Sequence, residues 1–168
     1  SICAYVHDGT GFYATADAIE RLLQQRPGVA VVAAAGNDDI DIRTFPAALK
    51  SVFGVAAIEC SSAGDSKASF SNFGDWVDAC SPGVDLQGVF PNWAPKFDQE
   101  SATWSGTSFA APSFAGAVAA KLGPAGWRHY LWFLRPRSAR EAAVRLIAAP
   151  GVTRLPGLGT VVKPQDYC

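Results

Sequence analysis

Apolar and polar residues follow two different periods along the chain, and these periods predict helices and strands in alternation. Apolar residues recur at helical spacing over Thr15 to Gln25, which predicts a helix that Pro27-Gly28 would end. Three apolar runs follow, at Val29 to Ala35, Val52 to Ile58 and Trp76 to Ala79. The first is apolar on both faces, which is typical of a central strand in a parallel sheet that helices cover on both sides.

Two further helices are predicted after these strands. Gly106 to Leu122 has a helical pattern rich in Ala and Gly, so this helix could lie very close to neighbouring backbone. Ser138, with Glu141 three residues later, has the pattern of a capping box and predicts a last helix ending near Ala148. Alternating strands and helices indicate an α/β fold with a mostly parallel sheet. No repeat or linker divides residues 1–168, so we expect a single domain or part of one.

Composition and charge narrow the class of protein. The chain is 49% hydrophobic and 17% charged, which indicates a compact globular protein. Its formal net charge of −1 gives no electrostatic reason to expect nucleic acid or an anionic membrane as a partner. No apolar run is long enough to span a bilayer. The chain begins at Ser1 without a leader pattern, so we expect any signal peptide to have been removed or to lie outside this piece.

The four cysteines, Cys3, Cys60, Cys80 and Cys168, stand far apart in the sequence. They form no CxxC pair and no cluster with histidine, so zinc is not expected. Their even number favours disulfides, and with them a secreted protein. Four cysteines allow three full pairings, and the sequence alone does not choose among them.

The stretch from Ser105 to Pro112 carries the first chemical signal. It resembles the nucleophile motif of the subtilase family of serine peptidases, G-T-S-x-A-x-P. A serine at a helix N-terminus lies beside unpaired backbone N–H groups, and these, with the helix dipole, stabilise negative charge. Ser108 would then be the nucleophile, and its own N–H would help to hold the oxyanion. Taken alone, the motif could also be an ordinary serine at a helix cap.

Further passages resemble the same family in the same order. Val31 to Asn37 is similar to the strand that ends in A-A-G-N, where the asparagine amide is the side-chain donor of the oxyanion hole. A simple turn at Gly36-Asn37 is the alternative. The remaining matches are Phe45-Pro46-Ala47 with Val52 to Ala57, Ala68 to Gly74 with Val77 to Gly83, and, more weakly, Gly157 to Val162. The resemblance implies a subtilisin-like three-layer α/β fold whose N-terminal part is missing from this chain.

The family's other two catalytic residues are not found. Its triad runs in the order Asp, His, Ser, and neither the D-T/S-G motif nor the H-G-T-x-V-A-G motif is present. His7-Asp8-Gly9 lies 30 residues before Asn37, where the family has a segment that pairs with bound peptide. The resemblance therefore implies that His7, Asp8 and Gly9 form one wall of the substrate cleft and Ala34, Ala35 and Gly36 the other. There are two alternatives for His7: it could be the catalytic base, or a loop histidine without a role.

A second histidine, His129, follows the serine within the aromatic stretch Trp127 to Leu134. The family has no catalytic residue there, so we interpret His129 as a surface or core residue. The aromatic stretch is interpreted as core filling, with a docking patch for a missing segment as the alternative.

The resemblance implies acyl transfer by a serine endopeptidase. Ser108 would attack the scissile carbonyl after a histidine outside this chain removes its proton, and Asn37 would help to hold the oxyanion. The expected partners are a peptide or protein substrate and an N-terminal segment that supplies Asp and His, so the chain alone should be inactive. A non-catalytic module that binds a peptide or a partner protein is the alternative. An α/β-hydrolase esterase is excluded because the G-x-S-x-G elbow is missing.

We expect no cofactor, but we expect one disulfide. Calcium sites are common in the family, but Asp38, Asp39 and Asp41 are not enough to assign one. In the family, the strands that end near Cys60 and Cys80 are neighbours, about 4.8 Å apart. The resemblance therefore implies a Cys60–Cys80 bridge, which leaves Cys3 and Cys168 to pair with each other or with the missing segment.

Overall fold

The computed structural model of the chain describes residues 4–5, 13–89, 101–123 and 136–164. Ten strands and three helices lie in these ranges. In chain order they are β1 (Ala4–Tyr5), α1 (Tyr13–Gln25), β2 (Val32–Ala34), β3 (Thr44–Phe45), β4 (Phe53–Ser61), β5 (Gly64–Lys67), β6 (Ala79–Pro82), β7 (Leu86–Val89), β8 (Ser101–Trp104), α2 (Thr107–Leu122), α3 (Ala139–Ile147), β9 (Arg154–Leu155) and β10 (Gly159–Val161).

The main sheet has six strands in the order β2-β4-β6-β10-β9, with β5 paired to the end of β4. Strands β2, β4, β6 and β10 pair in parallel, whereas β5 and β9 pair antiparallel. Strands β7 and β8 form a separate antiparallel pair, as do β1 and β3. The expectation of an α/β fold with a mostly parallel sheet is confirmed.

Strand β4 is buried on both faces, as a central parallel strand should be. Its residues from Phe53 to Ile58 are all buried. Val55 and Ala57 pack on one side in the same cluster as Phe114 of α2, whereas Ala56 and Ile58 pack on the other with Leu158. Side chains alternate between the faces of a strand, so this continuous apolar run supplies two separate halves of the core.

Helix α2 packs closely on the sheet because the residues between them are small. Ala110 and Ala117 are buried on its inner face. A Cβ added to Gly83 would lie 2.7 Å from the Cβ of Ala57, which is closer than real contacts allow, and 3.2 Å from that of Ala110, which is tight. The close approach expected from the Ala- and Gly-rich pattern is therefore present, and it fixes where the N-terminus of α2 lies relative to the sheet.

The other two helices agree with their predicted limits to within two residues. Helix α1 begins two residues earlier than predicted and ends at Gln25 as expected. At the start of α3 the Ser138 hydroxyl accepts from the Glu141 amide at 3.1 Å, which confirms one half of the capping box. The Glu141 carboxylate accepts instead from the amide of Arg137, at 2.7 Å, one residue before the expected donor.

The third predicted strand begins later than its apolar run. The run starts at Trp76, but β6 begins at Ala79. Asp78, just before the strand, uses its side chain to accept from the Gly54 amide at 2.9 Å, while its own amide donates to the Gly54 carbonyl at 3.0 Å. Regular pairing with β4 starts only after this exchange.

The predicted bridge between Cys60 and Cys80 is wrong. Cys80 is a free, fully buried thiol, and Cys60 is disulfide-bonded to a cysteine other than Cys80. The two strands are neighbours as expected, but Cys80 pairs with Ala56. Cys60 lies four residues further along β4, which is about 13 Å at the rise of a strand and too far for a disulfide. Cys3 and Cys168 lie outside the described residues.

Within the ranges that the structure describes, no helix is both long and apolar enough to cross a membrane.

Candidate active site

Ser108 is the second residue of α2, at the end of the helix that lies beside Gly83, just after β6. The preceding turn is held by Gly106, whose amide donates to the Gly83 carbonyl at 2.8 Å. The amides of Phe109 and Ala110 both donate to the Gly106 carbonyl. The Ser108 amide donates to no acceptor in the described part of the chain, since the first turn of a helix lacks partners four residues back. The Ser108 side chain is exposed.

Asn37 lies three residues beyond the end of β2 and reaches across to the same helix terminus. Its Oδ1 accepts from the amide and the hydroxyl of Thr107, at 2.9 and 2.8 Å. Its Nδ2 has no acceptor among the described residues, and a Cβ added to Gly106 would lie 3.5 Å from it. Two unpaired N–H donors, from Asn37 and Ser108, therefore lie at one helix end. Asn37 and Ser108 are thus brought together at the N-terminus of α2, and their catalytic roles stay predictions.

Thr107 connects the two halves of this site, and the sequence analysis did not single it out. The residue is buried, with 1% of its surface exposed. Its hydroxyl accepts from the Gly36 amide at 3.1 Å and donates to Asn37 Oδ1 at 2.8 Å. One hydroxyl therefore ties both the backbone and the side chain of the loop after β2 to helix α2. Its place directly before the serine of the motif could have marked Thr107 as a candidate, but the motif does not show which groups its hydroxyl binds.

A pocket of about 400 Å³ opens beside Ser108. Small side chains from the end of β2, from the Pro46 turn and from the first turns of α2 line it. They are Val32, Ala33, Ala34, Pro46, Ser108, Ala111, Pro112 and Ala115. No ionisable side chain is among these lining residues, so the surface of the pocket around Ser108 is mostly apolar.

The predicted cleft walls are described only in part. Ala34 lines the pocket, whereas the amides of Ala35 and Gly36 donate to the Val55 carbonyl and to the Thr107 hydroxyl. Ala35 and Gly36 can therefore shape a wall, but their amides are not free to bind a substrate. His7, Asp8 and Gly9, which were predicted to form the other wall, lie outside the described residues, as do His129 and the aromatic stretch Trp127 to Leu134.

The aspartates after Asn37 form no metal cluster. Asp39 makes an ion pair with Lys67, and the Asp38 amide donates to Asn72 Oδ1 at 2.9 Å. Over the described ranges, no group of three or more His, Cys, Asp or Glu side chains is arranged to hold a metal ion.

Comparison with known proteins shows which family this sequence resembles. The sequence profile of the Subtilase family matches residues 4–159. Subtilisin-like protease 4 of Trichophyton equinum is 42% identical over 117 residues, which cover 68% of this chain and 27% of that protein. The chain therefore spans about a quarter of the length of this relative.

Two solved structures are similar to the fold. The prenylagaramide maturation protease PagA aligns with a TM-score of 0.68 and 26% identity, covering 89% of this chain and 50% of its own. A mutant of the protease domain of PatA aligns with a TM-score of 0.73 and 25% identity, covering 97% of this chain and 55% of its own. The profile match extends over nearly the whole sequence and agrees with these folds, so the chain belongs to the subtilase family.

Proposed function

We propose that this chain is the C-terminal part of a subtilisin-type serine endopeptidase domain, with Ser108 as nucleophile and Asn37 as side-chain donor of the oxyanion hole. The observation that supports this most strongly lies at the N-terminus of α2, where Asn37 Nδ2 and the Ser108 amide are two donors without an acceptor among the described residues. A helix cap without a catalytic role has no need of a distant asparagine fixed by its oxygen with its amide left unpaired.

The reaction follows from this arrangement. Ser108 Oγ attacks the carbonyl carbon of the scissile peptide bond while a histidine from outside the chain takes its proton. The carbonyl oxygen becomes an oxyanion, which Asn37 Nδ2 and the Ser108 N–H hold, with the dipole of α2 adding to their effect. Collapse of this intermediate expels the amine, which takes the proton from the histidine, and leaves an acyl group on Ser108. Water then releases the acid by the same steps.

An N-terminal segment that supplies the histidine and aspartate is part of the proposal. The chain spans about half of the PagA and PatA structures, so a comparable length of their fold has no counterpart here. Strand β2 stands at one end of the described order of the main sheet, beside the pocket that opens at Ser108. A segment joining the sheet at this end would bring its side chains close to the nucleophile. Without it, the chain should have no peptidase activity.

Substrate would lie along the pocket beside Ser108. Ala34, Ala35 and Gly36 would shape one side, and His7, Asp8 and Gly9 are proposed for the other. Because the described lining is apolar and made of small residues, an uncharged side chain of the substrate should fit there. We also propose an extracellular location, which the disulfide at Cys60 supports.

Peptide hydrolysis by the whole protein that carries this chain tests the proposal. Ser108→Ala should abolish cleavage of a fluorogenic peptide, and Asn37→Ala should lower kcat by about a hundred- to a thousandfold with little change in KM. Ser113→Ala is the matched control. It removes a serine hydroxyl from the same helix, where it donates to the Phe109 carbonyl, and should leave the rate unchanged. A whole protein that binds peptides in this pocket but never cleaves them would favour the peptide-binding module instead.

A further inference from the structure

We infer that Asn72 is the positioning residue that keeps Asn37 in place as an oxyanion donor. The inference rests on the proposed function, because it gives Asn72 a role in the same reaction. Asn72 lies in the loop after β5, 35 residues from Asn37 in the sequence, and is fully buried. It does not line the pocket beside Ser108, so any effect on catalysis must pass through another residue.

The Asn72 carboxamide binds the backbone on both sides of Asn37. Its Nδ2 donates to the Ala35 carbonyl at 3.0 Å, two residues before Asn37. Its Oδ1 accepts from the amides of Asp38 and Ile40, at 2.9 and 3.3 Å, just after Asn37. The Asn72 amide also donates to the Gly36 carbonyl at 3.0 Å. One buried residue thus bridges the loop that carries the oxyanion donor.

These contacts require a side chain that both donates and accepts. An ionised carboxylate would accept from Asp38 and Ile40 but could not donate to the Ala35 carbonyl. A serine is too short to reach both sides of the loop. Asn72 itself is fully buried, and the Ala35 carbonyl that it binds is buried too. Loss of the side chain would therefore leave buried backbone groups without their partner, which favours another conformation of the loop.

Asn72 and Thr107 hold different parts of Asn37. Thr107, on α2, binds the side-chain oxygen of Asn37, whereas Asn72 binds the backbone of the loop on either side of it. The direction of Nδ2 depends on both. Oxyanion stabilisation depends on the position of the donor, so a small shift of this loop should lower kcat much more than it weakens substrate binding.

Kinetics of the whole protein provide the first test. In Asn72→Ala, kcat should fall by about tenfold or more while KM stays within about twofold. In a protein that already carries Asn37→Ala, the same substitution should cause no further fall, because the residue through which Asn72 acts is gone. Ser81→Ala is the matched control for stability. It removes a buried hydroxyl that donates to the Val162 carbonyl at 2.6 Å, on a strand away from the loop, and should leave kcat unchanged.

Hydrogen exchange of the same variants provides a second test that needs no activity. Peptides covering the amides of Asp38 and Ile40 should exchange at least about tenfold faster in Asn72→Ala, but not in Ser81→Ala. Unchanged exchange, or an undiminished loss of kcat in the Asn37→Ala background, would overturn the inference. If the whole protein proves inactive, the proposed function fails, and exchange still shows whether Asn72 holds the loop that carries Asn37. If Asn72→Ala does not fold, Asn72→Asp should keep both amides protected and still lower kcat.

Discussion

Thr107 and Asn37, seventy residues apart in the sequence, are joined by two hydrogen bonds to a single oxygen. The amide and the hydroxyl of Thr107 both donate to Asn37 Oδ1, at 2.9 and 2.8 Å. An amide side chain whose oxygen is fixed in this way can turn only its nitrogen toward a substrate. Thr107 thus leaves the amide nitrogen of Asn37 as the end that can face an oxyanion in the proposed reaction.

We expect Thr107→Val to weaken both stability and catalysis. The valine keeps the shape of the threonine but leaves the buried Gly36 amide without its acceptor, which should lower the free energy of unfolding by about 1–3 kcal/mol. It also leaves Asn37 Oδ1 with one donor instead of two, so kcat should fall. Thr107→Ser keeps the hydroxyl and is the control. Urea unfolding and steady-state kinetics of the whole protein measure both effects, and equal behaviour of the two variants would contradict this role of the hydroxyl.

We expect Gly36→Ala to be more destabilising than Gly64→Ala, although both glycines have positive φ, 107° and 122°. Any side chain is strained at such angles, by about 1–3 kcal/mol. At Gly36 an added Cβ would also collide with Nδ2 of Asn72, whereas at Gly64 it would meet open space. The difference between the two free energies of unfolding therefore isolates the contact with Asn72. Equal losses would show that the loop can move away from Asn72.

We expect the Cys80 thiol to be unreactive in the folded protein. Burial raises its pKa to about 12, so almost no thiolate, the reactive form, is present near neutral pH. Iodoacetamide at pH 8 should modify Cys80 only after unfolding. Labelling of the native protein at this residue, at the rate seen in the unfolded chain, would contradict the buried position in β6.

The same thiol should make stability depend on pH in the alkaline range. The folded pKa of Cys80, about 12, lies above the ordinary value of 9.0, so between these values the unfolded chain has lost a proton that the folded chain keeps. Stability is therefore fully present below about pH 9 and falls as the pH rises from there toward 12. Cys80→Ala should remove this part of the loss, which urea midpoints at pH 8 and pH 10.5 would show. If the urea midpoint fell by the same amount between pH 8 and pH 10.5 in both proteins, the raised pKa of Cys80 would be contradicted.

The sequence predicted the elements of the fold better than their exact pairing. The apolar runs of β2 and β4 predicted parallel strands, and the two strands do pair in parallel. The central position expected for the first run is not seen among the described strands, where β2 stands at one end of the main sheet and β4 is central. The close approach expected from the small residues of α2 is present. The start of β6 was not predictable from its apolar run, because it depends on the exchange of hydrogen bonds between Asp78 and Gly54, 24 residues apart. The Cys60–Cys80 bridge failed for a related reason. The neighbouring strands were identified, but the register that pairs Cys80 with Ala56 was not.

The candidate site divides in the same way. Ser108 and Asn37 stand in short motifs whose local pattern is informative, so the sequence could single them out as candidates. The roles of Thr107 and Asn72 depend on which distant groups lie within hydrogen-bond distance of their side chains, which no local pattern contains. Asn72 in particular stands in a loop where an asparagine is ordinarily read as a turn residue.

Labelling with a fluorophosphonate probe, mapped by mass spectrometry, tests the central claim most directly. In the whole protein the probe should bond to Ser108 and to no other serine, and Ser108→Ala should prevent this. In the isolated chain, labelling of Ser108 should be slower by a factor of about a thousand or more, because on this account the histidine that removes its proton comes from outside the chain. Efficient labelling of the isolated chain that His7→Ala abolishes would contradict the account and make His7 the base.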